Sequence, residues 1–406
     1  MDNFKKKELM FLIFIFCFAF ALRISYCFFF KESILHIQTH IFGDTQDYIQ
    51  IANNFLSGKG LISSPDRIAY RPPLYPLFLS GVYYMFGDGY WPIRIIQSIL
   101  DALTCIMVYF LGKRVLNEQT GKISSFICTI YPFFIFFAGF ELTETLFIFL
   151  LVMTLLFLIK TFEQPLHKYF IMDGILLGLS TLCRPVIVGF IPFALIGIGV
   201  NLQVTKKKMF LSFGYTVLLF IFILSPWIIR NFLHFKKFLP LTTYSGRVLW
   251  EGNNPKATGG PCAYWPEEIK ELSEIEQDRY LGNLAMKVII SNPQRFIKLM
   301  GKKFIRFWNV VPNYAGFSSF KYRIISILSD GIIIPLSILG IILSFKIKRK
   351  VLLFYLIIAF FTAFHMISLA SIRYRVPIMP FMIIFSAYFI QQLIIHHKNN
   401  DERRRN

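Results

Sequence analysis

The stretch Tyr70-Arg71-Pro72-Pro73-Leu74-Tyr75-Pro76-Leu77-Phe78-Leu79-Ser80-Gly81-Val82-Tyr83-Tyr84-Met85-Phe86-Gly87 decides how this chain is threaded. It is apolar from Leu74 onward, yet shorter than the ~20 residues a helix needs to cross a hydrocarbon core. Longer apolar runs surround it at 9–30, 91–112, 123–140, 143–160, 169–183, 185–202, 209–229, 324–345, 351–370 and 375–395. Lys5, Lys6 and Lys7 set the N-terminus on the cytoplasmic side. If 74–87 lies in the interface, Lys113/Arg114/Lys122, Lys160/Lys168, Lys206 to Lys208, Lys346 to Lys350 and Arg403 to Arg405 all join that side. If it spans, every one of these clusters moves outside. The bias of short loops toward cytoplasmic Lys and Arg therefore selects ten spans and one interfacial helix. Pro72-Pro73 fits a chain entering that helix through an extended step.

Composition agrees. The chain is 55% hydrophobic and 17% aromatic, with a mean hydropathy of +0.56, which excludes a soluble globular protein. The expected fold class is an all-α polytopic membrane protein with about ten transmembrane helices. The net charge of +20 sits in short clusters between apolar runs, so it sets topology and implies no nucleic-acid partner. Five of the six cysteines lie in or at the end of apolar runs and only Cys262 falls in a long hydrophilic loop, against a disulfide framework. Lys5-Lys6-Lys7 followed by an apolar run and Ala19-Phe20-Ala21 imitates a secretory signal. The apolar run continues to Phe30, so it reads as an uncleaved first helix.

This threading divides the chain into an N-terminal module, 1–229, an extracytoplasmic segment, 230–322, and C-terminal helices with a basic cytoplasmic tail, 323–406. Facing outward are the loop 31–73, the tight Glu141–Glu144 turn, and the segment 230–322. That last segment begins polar and Gly/Pro-rich, reads as a helix from Pro266 to about Ile290, and ends in an amphipathic stretch from Pro293 to Trp308. There Phe296, Leu299, Met300, Phe304, Phe307 and Trp308 alternate with Lys298, Lys302, Lys303 and Arg306, as in an interfacial helix with snorkelling cations.

The candidate chemistry lies on the outward loops. Asp44 and Asp47 open an amphipathic helix with Tyr48, Ile51, Ala52 and Phe55. They read either as a cap and a helix-dipole partner, or as a general base for an acceptor hydroxyl. Glu141 and Glu144 repeat the spacing at a second outward helix start. Arg71, Arg184, Arg230, Arg373 and Arg375 run against the charge bias, and their planar donors suit bidentate phosphate binding. Tyr48 and Tyr75 stand beside them in sequence. Asp101 shares a helix face with Arg94, Gln97, Ser98, Thr104 and Cys105, a polar stripe aimed into the bundle. Walker, GxGxxG, GxSxG and HExxH motifs are absent, and the cytoplasmic loops are too short for a nucleotide-sugar domain, so an activated donor must come from the membrane.

At these residues the chain resembles the GT-C membrane glycosyltransferases, in particular the bacterial protein O-mannosyltransferase and aminoarabinose transferase group. The resembling elements are Asp44-x-x-x-Tyr48 with Gly58-x-Gly60, Tyr70-Arg-Pro-Pro-Leu-Tyr-Pro76, Arg94-x-x-Gln97, Tyr131-Pro132, Thr143-Glu144, Thr181-x-x-Arg184-Pro185, Pro226-Trp227-x-x-Arg230-Asn231, Gly252-Asn-Asn-Pro255 and Arg373-Tyr-Arg375-x-Pro377. The resemblance implies a polyprenyl-phosphate-sugar donor, an inverting transfer on the extracytoplasmic face of the plasma membrane, and an acceptor it does not identify. It places the base at Asp44, with Asp47 as the alternative, and the second-loop acid at Glu144. No cofactor is required by it, and paired acids leave room for a divalent cation. A lipid-linked-sugar flippase and a polysaccharide polymerase or ligase are the competing readings. Asp101, near mid-bilayer, is the residue that favours a transporter.

Overall fold

The computed structural model describes residues 2–194, 206–317 and 319–405. Helices run in the order α1 Asp2–Phe29, α2 Lys31–His40, α3 Gly43–Leu56, α4 Leu74–Phe86, α5 Tyr90–Val115, α6 Glu118–Ile130, α7 Pro132–Ala138, α8 Glu144–Glu163 and α9 His167–Cys183. After a 3-10 turn at Pro185–Phe190 come α10 Lys206–Phe235, α11 Ser245–Asn253, α12 Glu274–Ser291, α13 Pro293–Trp308, α14 Phe320–Ser344, α15 Lys348–Ile367, α16 Ile372–Arg375 and α17 Met379–Arg405. Among the described residues there is no strand, so the fold is all-α.

Among the described residues, seven helices are long and apolar enough to cross a membrane, or eight if the bent pair α6–α7 counts as one span. The bend is 53° and falls at Tyr131-Pro132, where proline cannot donate to the helical ladder. Two of the ten expected spans are not among these eight. The expected 169–183 run is the 17-residue α9, and the expected 185–202 run lies partly outside the described residues. The 74–87 run is the 13-residue helix α4, below spanning length, as expected of an interfacial helix. The expected continuous helix from Pro266 is corrected. A 3-10 turn at Glu267–Glu271 precedes α12, which starts afresh at a capping box between Ser273 and Glu276.

One apolar core runs from Ile15 in α1 to Phe385 in α17. Helices approach closely where glycine removes the side chain. A Cβ at Gly340 would lie 2.0 Å from the Phe385 carbonyl oxygen, and one at Gly174 would lie 2.6 Å from that of Thr216. These contacts seat α14 on α17 and α9 on α10, the small-residue packing expected of helices in lipid. A separate small core of Trp250, Leu281 and Ala285 holds α11 to α12.

The bundle has two chemically distinct ends. At one, Lys113 pairs with Glu8 at 2.6 Å, and Arg114 pairs with Glu163. At the other, α8 begins with Glu144. The 20 residues of α8 separate these ends by roughly 30 Å at 1.5 Å per residue.

Candidate functional site

Asp44 and Asp47 sit in the first turns of α3, three residues apart and so on one face. The helix starts after Phe42, and no side chain caps it. The capping reading of Asp44 is therefore overturned. Its carboxylate instead accepts from Arg71 Nη2 at 2.7 Å through Oδ1 and from Arg373 Nη1 at 2.9 Å through Oδ2. Arg71 also reaches Asp47 Oδ2 with Nε at 3.0 Å and Nη2 at 2.8 Å. Arg67 stands 3.7 Å from Asp47, and Ser63 donates to it at 3.2 Å.

Arg373 continues the chain to a second loop. It sits in the four-residue α16, started by the Ser371 side chain, and its Nε donates to Glu144. Glu144 also takes Arg184 Nη2 at 2.6 Å, while Arg184 Nε donates to Thr143 Oγ1 at 2.7 Å. Glu144, like Asp44, caps nothing. Glu141 does not join these residues. It accepts from Arg94 at 2.8 Å and from the Tyr83 hydroxyl at 3.0 Å.

The outcome is an alternating chain: Arg67, Asp47, Arg71, Asp44, Arg373, Glu144, Arg184. Four arginines face three acids, leaving one positive charge in excess for an anionic ligand. It draws on four regions far apart in sequence. Its centre is partly open, with Asp44 29%, Arg373 17% and Arg184 15% exposed, whereas Glu144 is sealed. Burial alone would raise the Asp44 carboxyl, but Arg71 and Arg373 beside it outweigh burial and hold it well below the usual carboxylate range. Burial pushes the Tyr48 phenol up to about 12.

Aromatic rings fix Arg71. Its guanidinium lies 4.6 Å from the Tyr244 ring, 4.9 Å from Tyr70 and 5.7 Å from Tyr48. Tyr75 stands one layer behind, edge-on to Tyr48 at 5.1 Å, with its hydroxyl donating to Gln97 at 2.8 Å. The backbone leading to Tyr70-Arg71 is clamped by Glu274 of α12, whose carboxylate accepts from Ile68 N at 2.8 Å and Ala69 N at 3.2 Å.

Two of the candidate arginines lie elsewhere. Arg375 is fully buried, bonded to Asp330 and to the carbonyls of Phe307 and Asn309 at 2.7 and 2.8 Å. Arg230 donates to Leu61 O at 3.0 Å and Asn231 Oδ1 at 2.9 Å. Asp101 meets Arg23, whose Nε donates to it at 2.7 Å while its other nitrogens reach Ala19 O, Thr129 O, Cys128 O and Cys105 Sγ. A bound, satisfied pair is a structural strut rather than a coupling site. Sequence reasoning missed Arg67, Tyr244, Glu251 and Glu274. Glu251 is paired with Arg247 at 3.3 Å, and its carboxyl is raised by burial. Only the docking of α11 and α12 brings the last three near Arg71, and no local motif marks them. Among the described residues no group of three or more His, Cys, Asp or Glu side chains could hold a metal ion.

The sequence family described as dolichyl-phosphate-mannose-protein mannosyltransferase matches residues 70–229. No curated protein matches the chain. Among solved structures, the oligosaccharyltransferase AglB of Archaeoglobus fulgidus, in complex with an inhibitory peptide and a dolichol-phosphate, is similar with a TM-score of 0.55. The identity is 14%, over 98% of this chain and 52% of that one. The apo form of the Archaeoglobus fulgidus enzyme is similar with a TM-score of 0.57 and 14% identity, over 97% and 52%. ArnT from Cupriavidus metallidurans bound to undecaprenyl phosphate gives a TM-score of 0.45 and 12% identity, over 95% and 77%. The chain thus spans about half the length of the AglB structures. The fold is shared with them, and the resemblance to GT-C membrane glycosyltransferases read from the motifs is borne out.

Proposed function

We propose that the chain is an inverting glycosyltransferase that moves a hexosyl or pentosyl group from a polyprenyl-phosphate donor to an extracytoplasmic acceptor. The loop 31–73 carries the base, and 230–322 forms the roof over it. The observation that supports this reading is the Asp44 carboxylate held between Arg71 and Arg373 at a partly open rim.

That arrangement creates a competition. While both arginines hold Asp44, it is a poor base. A donor phosphate entering the site offers Arg71, Arg184 and Arg373 a second anion, and bidentate guanidinium–phosphate bonds are among the strong charge-assisted pairs. As they turn to phosphate, Asp44 loses its clamps and its basicity rises. The acceptor hydroxyl then attacks the anomeric carbon from the face opposite phosphate and passes its proton to Asp44. The bond from that carbon to the phosphate oxygen breaks, and its electron pair leaves on phosphate, stabilised by the arginines. Loading the donor thereby switches on the base. Glu144, sealed under Arg184 and Arg373, is the fixed counter-charge that positions both.

The test uses protein in liposomes with labelled polyprenyl-phosphate sugars and a cell-envelope extract as acceptor source. Wild type consumes one donor, and Asp44→Asn binds polyprenyl phosphate but transfers ~10²–10⁴-fold more slowly. Full activity in Asp44→Asn moves the base to Asp47 or Glu144. Passage of intact labelled lipid across the bilayer with no transfer overturns the enzyme reading.

A further inference from the structure

Arg230 was expected to bind phosphate, yet the structure separates it from the alternating chain, with no hydrogen bond between them. It occupies a different setting. Two surface grooves, of about 480 and 560 Å³, meet at Arg230 and His234 near the end of α10. The first is lined by Pro226, Ile229 and Leu233, the second by Phe55, Lys59, Leu61, Ile62, Pro65 and Ile68. The first is an open, mostly apolar face of α10 itself, the second a shallow apolar trough between α10, Phe55 and the 59–68 loop, and Arg230 is the charged residue common to both.

Four further observations bear on the occupant. No carboxylate lies within ion-pair distance of Arg230, Lys59, Lys236 or Lys237 among the described residues. Lys236 adopts φ 51°, a left-handed conformation rare for a side-chain-bearing residue, and its backbone N–H closes α10 on Phe232 O at 2.9 Å. Beside the cations, α10 exposes Ile229, Phe232 and Leu233 at 56%, 51% and 61%, an apolar strip on a helix of membrane-spanning length. Finally, the groove wall is the loop that also serves the site. Leu61 O accepts from Arg230, while Ser63, two residues on, donates to Asp47.

A basic junction with no acid in ion-pair contact, at the end of an exposed apolar strip, fits a phosphate headgroup on a long apolar tail. A polar small anion would leave the troughs empty, and an uncharged lipid would leave the cations unused. We infer that this groove is a second polyprenyl-phosphate site, with phosphate at Arg230, His234 and Lys59 and the tail along α10. The inference rests on the donor class of the proposed function. The groove is then a waiting position for the incoming donor or the spent carrier, next to the loop that carries Ser63 and Arg67.

The experiment counts bound lipid by native mass spectrometry of the full chain in detergent, with polyprenyl monophosphate, uncharged polyprenol, phosphatidylglycerol and inorganic phosphate as probes. Wild type holds two polyprenyl monophosphates. Arg230→Gln/His234→Gln holds one, with the other weakened at least about tenfold, the effect of about 1.4 kcal/mol. Arg373→Gln loses the complementary one. Lys59→Gln/His234→Gln changes only exposed side chains and gives the same direction, which guards against a folding defect through the Arg230–Leu61 bond. Unchanged stoichiometry in both variants overturns the site. So does equal occupancy by polyprenol, by phosphatidylglycerol or by inorganic phosphate alone. If wild type transfers no sugar yet these variants still lose one lipid, the proposed function fails and the groove stands. If it transfers sugar and the lipid count is unchanged, the reverse holds.

Discussion

Two arginine–carboxylate assemblies of this chain use the same groups to different ends. In the bundle interior, Arg23 meets Asp101 and Arg375 meets Asp330, with every side chain at 0–4% exposure. Each arginine is also tied to backbone carbonyls, and Asp330 accepts from Tyr131 at 2.6 Å as well. At the rim, Arg71, Asp44, Arg373, Glu144 and Arg184 use the same two functional groups, but charge alternates along an open line and the central aspartate is 29% exposed. The closed pairs are sealed from solvent, and of their guanidinium nitrogens only Arg375 Nε lacks a partner. The open chain has an excess cation and acids that can exchange partners. Chemistry therefore follows from which donors remain available, and residue type alone does not separate the two.

Substitutions can break this contrast. The largest effects should divide cleanly between activity and stability. Asp44→Asn is expected to lose transfer by the two to four orders of magnitude already given, with a smaller loss of stability from the partly exposed Arg71 and Arg373 pairs. Asp101→Leu strands the Arg23 charge in the interior, so it should cost about 3–5 kcal/mol of stability, read as lost unfolding resistance in detergent. The double change Arg23→Met/Asp101→Leu should recover most of that loss. A stable but inactive Asp101→Leu would instead put Asp101 in the mechanism and erase the distinction.

Arg184→Gln tests the end of the open chain. Losing one charge-assisted contact of about 1.5–3 kcal/mol should weaken donor binding roughly tenfold to a hundredfold, seen in KM for the donor more than in kcat. An equal loss of stability would class Arg184 with the closed pairs.

The pH profile sharpens the comparison further. Because Arg71 and Arg373 hold the Asp44 carboxyl low, the stabilisation from these pairs is present above the unfolded value near 3.9 and is lost as pH falls below it. Resting Asp44 is thus ionised throughout the neutral range. Donor binding should show no acid limb from Asp44 above about pH 4; an acid limb near pH 6 that disappears in Asp44→Asn contradicts the clamp.

The last comparison concerns Lys303 of α13, fully buried and donating to Asn253 Oδ1 and Ile367 O, each at 2.9 Å. Burial pushes its ammonium down to about 7. Between there and the ordinary value near 10.4, the unfolded chain holds a proton that the folded chain has released, so stability rises with pH by at most about 1.4 kcal/mol per unit. Lys303→Met should flatten that rise in melts between pH 6 and 10. A slope equal to wild type would mean that Lys303 keeps its proton through contacts like those of the closed pairs.

The amino-acid sequence alone carries the all-α membrane architecture, because apolar run length is a one-dimensional signal that lipid enforces directly. It marked α4 as too short to span, and it picked out Asp44, Asp47, Arg71, Glu144, Arg184 and Arg373, since ions near hydrocarbon are costly enough to stand out. It could not tell a capping aspartate from a clamped one, because both begin a helix with an acid. Nor could it sort Arg373 from Arg375, two residues apart, one in the open chain and the other locked to Asp330. Tertiary structure decided those roles, and added Tyr244, Glu251 and Glu274, through contacts between residues up to 329 positions apart. Side-chain partners at that separation depend on how helices pack and turn, which no local pattern encodes.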